Sequence, residues 1–81
     1  MNIEEKVTGI LCDLSGEKQI EFQALLQDDL ALNSLAMVTM LVEIEDVFGV
    51  ELDESDMNPF DLNTVQDVIK LVQKYCGDEN G

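Results

Sequence analysis

The chain has 81 residues, the length of a single domain, and its hydrophobic residues make up 46% and recur periodically, which excludes intrinsic disorder. Eighteen aspartates and glutamates face four lysines, with no arginine and no histidine, so the net charge is −14. Because nucleic acids and anionic membranes are bound through cationic side chains, this composition excludes both as partners and favours proteins with basic surfaces.

The first predicted element is an amphipathic helix over residues 3–14. Its apolar residues recur with the 3.6-residue period of a helix and are Ile3, Val7, Ile10, Leu11 and Leu14. Gly16 is expected to end this helix, since glycine is the usual residue just past a helix C-terminus. A long connection follows over residues 17–33, and residues 22–27 are expected to form one helical turn within it.

The second predicted helix runs from Ser34 to Phe48, ends at Gly49 and is apolar around much of its circumference. One face is expected to pack in the core and consists of Met37, Met40, Leu41, Ile44 and Phe48. A second apolar stripe lies roughly 100° or more around the axis and consists of Leu35, Val38 and Val42. This stripe has two interpretations, because it can pack beneath the long connection or stay exposed as a surface for partners.

The last main helix is predicted to begin at Thr64, a good N-cap residue with Asp67 three residues later, and to end at Gly77. Its inner face is predicted to consist of Val65, Val68, Ile69, Val72, Tyr75 and Cys76. A short helix or turn is expected between residues 53 and 60. The predicted fold is therefore all-α: a single domain over residues 1–81 with three main helices, a short fourth helix before the last, a long first loop and a flexible tail at 77–81.

Several features of the sequence indicate where the protein is located and which chemistry it can perform. An acidic N-terminus and the lack of an apolar run of about 20 residues predict a cytoplasmic protein without membrane insertion, and the high charge favours a monomer. Two distant cysteines, Cys12 on the polar side of the first helix and Cys76, are expected to be reduced. Without histidine or arginine, the general base and phosphate clamp of most small enzymes are missing, so an enzyme is not expected.

An acidic run after the second helix raises the question of a calcium site. It consists of Asp53, Ser55, Asp56 and Asp61. The run lacks the order of ligands and the central glycine of an EF-hand loop, so no metal site is predicted. Weak divalent-cation effects on stability are expected instead, from the crowded carboxylates.

Three stretches of sequence resemble the acyl carrier protein family over essentially the whole chain. The stretches are Asp29-Leu30-Ala31-Leu32-Asn33-Ser34-Leu35, the helix end Glu45-Asp46-Val47-Phe48-Gly49-Val50-Glu51-Leu52, and Asn63-Thr64-Val65-Gln66-Asp67-Val68-Ile69. The resemblance implies a carrier in which a phosphopantetheinyl transferase joins 4′-phosphopantetheine from coenzyme A to Ser34, between Asn33 and Leu35. The thiol of that arm would hold acyl or aminoacyl groups as thioesters. Independently, the start of a helix suits an anion such as a phosphodiester, although an ordinary N-cap serine would look the same.

The resemblance also implies recognition surfaces for loading enzymes and synthases with basic surfaces. Acids offered to such partners would be Glu43, Glu45 and Asp46. Apolar contacts beside them would be Leu35, Val38 and Val42. The residues Met40, Leu41 and Ile44 would either line a space for an acyl chain or form plain core.

Four positions depart from the pattern of the family. Asn33 stands where the family usually has an aspartate that helps the transferase hold Mg²⁺, and Ala31 lies where glycine is frequent. Ala36 and Thr39 replace acids that are typical of fatty-acid carriers. These departures favour a specialised pathway, such as polyketide, nonribosomal peptide, modified lipid or aminoacyl transfer. They also leave a second hypothesis open: a non-loaded acidic interaction module that retains the carrier fold.

Overall fold

The computed structural model describes residues 2–58 and 61–76, so the predicted tail and the helix end at Gly77 lie outside the described residues. Three α-helices follow one another: α1 (Ile3–Ser15), α2 (Ser34–Phe48) and α3 (Val65–Cys76). A 3₁₀ helix (Glu54–Asp56) lies between α2 and α3. The predicted all-α fold is confirmed. No helix in the described part of the chain is long and apolar enough to cross a membrane.

Local capping determines where α1 begins and ends. The Asn2 side chain accepts a hydrogen bond from the Glu5 N–H at 2.8 Å, which satisfies one of the unpaired amides of the first turn. Gly16 follows the helix with φ of +79°, and its N–H donates to the carbonyl of Cys12. This left-handed conformation is unfavourable for residues with a side chain, so glycine ends the helix as predicted.

The core lies between α1 and the other two helices, since α1 packs against both α2 and α3. Buried residues of the helices are Ile3, Val7, Ile10, Leu11, Met37, Met40, Leu41, Ile44, Val65, Val68, Ile69, Leu71 and Val72. The loops contribute Leu26, Leu30, Leu32, Leu52 and Leu62. The predicted faces of α1 and α2 are confirmed, with Leu14 and Phe48 partly buried against the core.

The predicted inner face of α3 is wrong at its end. Cys76 is exposed, because it lies in the final turn, beyond Val72, the last buried residue of the helix. Leu71 is buried although it is not among the residues predicted to form this face. Cys12 is partly exposed on α1, as predicted, and both cysteines are free thiols.

The helical turn predicted within the first loop is also wrong. Residues 22–26 instead pair their backbone with the start of α3, where Leu25 forms an isolated antiparallel bridge with Thr64. The Val65 N–H donates to the carbonyl of Ala24 at 3.1 Å, and the Gln66 N–H donates to the carbonyl of Phe22 at 2.9 Å. These loop carbonyls satisfy first-turn amides of α3 that have no partner within the helix. The long loop is therefore held against α3 by its backbone.

The capping box predicted at the start of α3 is confirmed. The Thr64 Oγ1 accepts from the Asp67 N–H at 3.3 Å, and the Asp67 carboxylate accepts from the Thr64 N–H at 3.1 Å. The same carboxylate accepts from the Asn63 N–H at 3.0 Å. Hydrogen bonds from the backbone of Asn63 and Thr64 hold the pKa of Asp67 below its ordinary value.

We expect Asp67→Ala to lower the free energy of unfolding by about 1 kcal/mol at pH 6, the usual cost of losing such a cap. Because the pKa of Asp67 is lower in the folded chain than in the unfolded chain, its contribution is complete above about pH 5, where the unfolded carboxyl is also ionised. The contribution is lost as the pH falls through the depressed pKa. Urea unfolding of both proteins at several pH values tests this. The matched control Asp13→Ala removes an exposed carboxylate of α1. A gap between wild type and Asp67→Ala that does not shrink as the pH is lowered would contradict the prediction.

The net charge of −14 predicts a strong dependence of stability on salt. The chain extends 32 × 26 × 19 Å, so at about 0.01 M salt the screening length of about 30 Å lets carboxylates repel one another across the whole molecule. At about 1 M the screening length falls to about 3 Å. We expect the melting temperature to rise by about 5 °C or more between these conditions, which corresponds to about 1 kcal/mol for a domain of this size.

Choline chloride at equal ionic strength should give nearly the same rise in melting temperature as NaCl, since screening does not depend on the cation. MgCl₂ and CaCl₂ should act at lower concentrations. A melting temperature that stays level from low to high salt would show that repulsion between carboxylates does not limit stability.

Candidate functional site

Ser34 is the first residue of α2 and is exposed. The N-cap position belongs to Asn33, whose Oδ1 accepts a hydrogen bond from the Ala36 N–H at 2.8 Å and whose carbonyl accepts from the Met37 N–H at 2.9 Å. The alternative interpretation of Ser34 as an N-cap serine is therefore wrong. An uncharged asparagine performs the capping, because this bond requires only an oxygen acceptor.

The hydroxyl of Ser34 differs from the other two serine hydroxyls. The Ser15 Oγ donates to the carbonyl of Leu11 at 2.7 Å, and the Ser55 Oγ donates to the Asp53 Oδ1 at 3.2 Å. Among the described residues, the Ser34 Oγ has no hydrogen-bond partner. This hydroxyl is therefore both exposed and available for reaction.

The backbone around Ser34 favours a negatively charged substituent. The N–H groups of Ser34 and Leu35 lie in the first turn, where no carbonyl of the helix can accept from them. The first turn of α2 also contains no acidic residue. A phosphodiester on the Ser34 Oγ would therefore lie beside free N–H donors and the positive end of the helix dipole, without a carboxylate in that turn to repel it.

The loop before α2 determines where Ser34 is placed, a role that the sequence pattern predicts for no residue. The Asp29 carboxylate accepts from the Leu25 N–H at 2.8 Å, and the Leu25 carbonyl accepts from the N–H groups of Asp29 and Leu30. The Leu32 N–H then donates to the carbonyl of Leu26 at 3.0 Å. The sequence carries no local signal for this bond, because an aspartate in a turn usually bonds to backbone that follows it, whereas Asp29 accepts from an N–H four residues earlier.

Ala31 adopts a left-handed conformation with φ of +56°, two residues before the cap of α2. This conformation is costly for a residue with a Cβ and is the reason that glycine suits such a position. The chain therefore turns into α2 at Ala31. At this position glycine is frequent in the family that the sequence resembles.

The second apolar stripe of α2 is exposed to solvent. Leu35 is 75% exposed, Val42 52% and Val38 44%. The interpretation that this stripe packs beneath the long loop is therefore wrong. Val47 is also 47% exposed, but the helical period places it about 120° or more around the axis from each residue of the stripe, so it does not belong to this surface.

The three acids at the end of α2 are not equivalent. Asp46 is exposed and Glu43 is partly exposed. The Glu45 carboxylate accepts a hydrogen bond from the Leu52 N–H at 2.9 Å, so it holds the chain that follows α2. Asp46 and Glu43 therefore remain as the acids of α2 that face solvent without such a backbone bond among the described residues.

Met40, Leu41 and Ile44 are each 0% exposed and belong to one continuous buried cluster. Their burial agrees with the interpretation that they form plain core. An acyl chain would contact these three side chains only if it entered the interior of the protein.

The acids after α2 bond to other groups of the protein. Asp53 caps the 3₁₀ helix through the Ser55 N–H, and Asp56 accepts from the Tyr75 hydroxyl and forms an ion pair of 3.0 Å with Lys74. Hydrogen bonds from Tyr75 and Lys74 lower the pKa of Asp56, and the Asp56 carboxylate raises the pKa of Tyr75 and of Lys74. Within residues 2–58 and 61–76, no group of three or more acids, cysteines or histidines is placed to hold a metal ion.

Comparisons with known proteins agree on one family. The family model described as phosphopantetheine attachment site matches residues 5–72. An acyl carrier protein from Thermotoga maritima is 34% identical over 77 residues, which are 93% of each chain. An acyl carrier protein from Solidesulfovibrio magneticus is 32% identical over 80 residues, which are 96% of this chain and 100% of that protein. A solved structure from Mycobacterium tuberculosis, described as a candidate acyl carrier protein, superposes with a TM-score of 0.80 at 26% identity and covers 90% of this chain and 97% of that chain.

Proposed function

Since this chain belongs to the acyl carrier protein family, whose members carry 4′-phosphopantetheine, we propose that Ser34 is the residue that bears this group. The protein is a carrier and not an enzyme, and its prosthetic group is 4′-phosphopantetheine. The thiol of that group supplies the chemistry, because it holds cargo as a thioester. The protein itself supplies the attachment hydroxyl, the surroundings of the phosphodiester and the surfaces that partners recognise.

The observation that supports Ser34 most directly is its free hydroxyl. Of the three serines, it is the one whose Oγ bonds to no described residue, because Asn33 takes over the capping of α2. A transferase can therefore approach the hydroxyl without breaking a hydrogen bond of the fold. The phosphodiester that results would lie beside the free N–H groups of Ser34 and Leu35.

Asn33 contributes differently from the aspartate that the family usually has. Its Oδ1 is committed to the Ala36 N–H, and it adds no negative charge beside the phosphodiester. We propose that Asn33 positions the start of α2 and that the transferase holds its Mg²⁺ without a carboxylate from this position.

Carriers of this family act with transferases and synthases, and we propose that they meet this chain on the outer face of α2. The exposed stripe of Leu35, Val38 and Val42 would enter an apolar surface beside the attachment site. Asp46 and Glu43 would meet basic groups, since charge complementarity accelerates encounter and sets orientation. Glu45 contributes mainly through its bond to the Leu52 N–H and only secondarily to the partners.

We also propose that the carrier serves a specialised pathway in the cytoplasm. The first turn of α2 contains no acid, and Leu35, the residue next to Ser34, is apolar and exposed. A partner that fits this helix needs an apolar contact near Ser34 and basic groups about 18 Å further along the helix, the rise over twelve residues.

The test is the intact mass of the protein before and after incubation with coenzyme A and a broad-specificity phosphopantetheinyl transferase, followed by peptide mapping. We expect one phosphopantetheine per chain, on the peptide that contains Ser34. An unmodified chain under conditions that load a reference acyl carrier protein would favour the non-loaded interaction module. In that case Asn33→Asp distinguishes the reasons: loading restored by this variant would identify the missing carboxylate as the cause.

A further inference from the structure

The turn over residues 25–32, which the structure describes throughout, is closed by one side chain, that of Asp29. Its Oδ2 accepts a hydrogen bond from the Leu25 N–H at 2.8 Å, and the Leu25 carbonyl accepts in return from the Asp29 and Leu30 N–H groups. The remaining bond of the turn joins backbone groups alone, from the Leu32 N–H to the carbonyl of Leu26. Because a charged acceptor makes a stronger hydrogen bond than a neutral one, closure of the turn depends on the Asp29 carboxylate.

The first half of this turn is attached to the start of α3. The Leu26 N–H donates to the carbonyl of Asn63 at 2.8 Å, and the Val65 N–H donates to the carbonyl of Ala24 at 3.1 Å. These bonds join backbone groups that lie about forty residues apart in the sequence, so they place one end of the turn relative to α3. Whatever the closed turn determines about the start of α2 is therefore determined relative to α3 as well.

The second half of the turn leads directly into α2. Leu32 precedes the N-cap residue Asn33 and is 3% exposed, and Met37, four residues after the cap, is 0% exposed within the same buried cluster. Apolar residues at these two positions are those of a hydrophobic staple, which fixes the angle at which the chain enters a helix. Ser34 follows the cap directly, so the closed turn, the staple and the cap together determine where the Ser34 hydroxyl lies.

We propose that Asp29 is a positioning residue for the loading of Ser34. By closing the turn, its carboxylate keeps the first turn of α2 intact and holds the Ser34 hydroxyl where the transferase requires it. This role rests on the function proposed above. A nucleophile held in the reacting geometry reacts faster, and a displacement of about 1 Å can cost about a hundredfold in rate. The partner surface further along α2, at Val38 and Val42, lies beyond this turn, so Asp29 should affect the reaction step more than the binding of the transferase.

Amide hydrogen exchange on the unloaded protein tests the effect of Asp29 on α2. The Ala36 and Met37 N–H groups bond to Asn33 and report on the first turn of the helix. We expect Asp29→Ala to accelerate their exchange by at least about tenfold, and amides of α1 to stay within about twofold of wild type. Asp28→Ala is the matched control, because it removes the neighbouring exposed carboxylate. Unchanged exchange at these two amides, or an equal effect of Asp28→Ala, would overturn the proposal.

Steady-state loading by a broad-specificity phosphopantetheinyl transferase at saturating coenzyme A, with the carrier concentration varied, tests the effect on the reaction. We expect Asp29→Ala to lower kcat by at least about fivefold, while KM for the carrier stays within about twofold. Asp29→Leu, which keeps the approximate shape without an acceptor, should behave alike and replaces Asp29→Ala should that variant fold poorly. Asp29→Asn should retain at least about half of the wild-type kcat, because its amide oxygen can accept from the Leu25 N–H.

Three results would overturn the positioning role of Asp29. They are a kcat that does not change without the acceptor, a loss confined to KM, and an Asp29→Asn variant as slow as Asp29→Ala. Ser15→Ala controls for lost stability, since it removes a hydroxyl that bonds to Leu11 within α1, and an equal fall of its kcat would also contradict the proposal. A wild-type chain that is not loaded at Ser34 would instead count against the proposed function. The exchange measurement would still decide whether Asp29 holds the start of α2.

Discussion

Ser34→Ala is expected to abolish loading with phosphopantetheine completely and to leave the fold intact. The Ser34 Oγ has no hydrogen-bond partner among the described residues and is exposed, so its removal breaks no hydrogen bond of the fold. Alanine is also the best helix former, and the cap of α2 on Asn33 is untouched. We therefore expect the free energy of unfolding to change by less than about 0.5 kcal/mol, as for other surface substitutions. Intact mass after incubation with coenzyme A and transferase measures loading, and urea unfolding measures stability.

The two other serines provide matched controls. Ser15→Ala and Ser55→Ala each remove a hydroxyl that is hydrogen-bonded within its own segment, to Leu11 and to Asp53 respectively. Both variants should lose up to about 1 kcal/mol of stability and still be loaded. Modification that persists in Ser34→Ala, or that disappears in Ser15→Ala, would refute the assignment of the attachment residue.

The helices could be predicted from the sequence because the local capping signals and the spacing of the core residues indicate the same helix bounds. In α2 the period of Met37, Met40 and Ile44 agrees with the termination at Gly49, and the helix has the predicted bounds. In α3 the capping pair of Thr64 and Asp67 is local, so it could be predicted without knowing the fold. The end of α3 could not be predicted in this way. Cys76 has the helical spacing of a buried residue but is exposed, since burial there depends on how far the neighbouring helices extend.

The first loop could not be predicted, because its structure depends on residues distant in sequence. The carbonyls of Phe22 and Ala24 accept from amides at the start of α3, about forty residues later, and no local pattern encodes that pairing. The helical turn expected there would have used the same backbone groups within the loop.

The candidate site likewise has features that could be predicted from the sequence and features that could not. The place of Ser34 at the start of a helix and the exposure of the Leu35 stripe follow from helical period and resemblance, and both agree with the structure. The sequence could not show that Asn33, and not Ser34, caps α2, because the two alternatives differ by one residue in where the helix begins. The bond from the Leu52 N–H to Glu45 also depends on tertiary structure, because it forms only after the chain turns back at Gly49.

The second large effect is expected from Met40→Ala, which should lower the free energy of unfolding by about 2–5 kcal/mol. Met40 is 0% exposed, so truncation removes buried contacts and leaves a cavity. A domain of this size has only about 4–12 kcal/mol in total, so the loss is a large fraction of its stability. Leu11→Ala is the matched control on α1, because Leu11 is equally buried and is not among the residues proposed to line a cargo space. Urea unfolding of the unloaded proteins should place both losses in the same range.

Loading with an acyl group should change the stability of the two variants differently. If an acyl chain lies against the inner face of α2, an octanoyl group on the arm fills part of the cavity left by Met40→Ala, and each buried methylene returns about 0.8 kcal/mol. The loss in Met40→Ala should then shrink by at least about 1 kcal/mol on loading, whereas the loss in Leu11→Ala should stay the same. Equal losses in loaded and unloaded protein for both variants would show that Met40 serves the core alone. Recovery in Met40→Ala alone would show that one face of α2 both holds the fold together and receives the cargo.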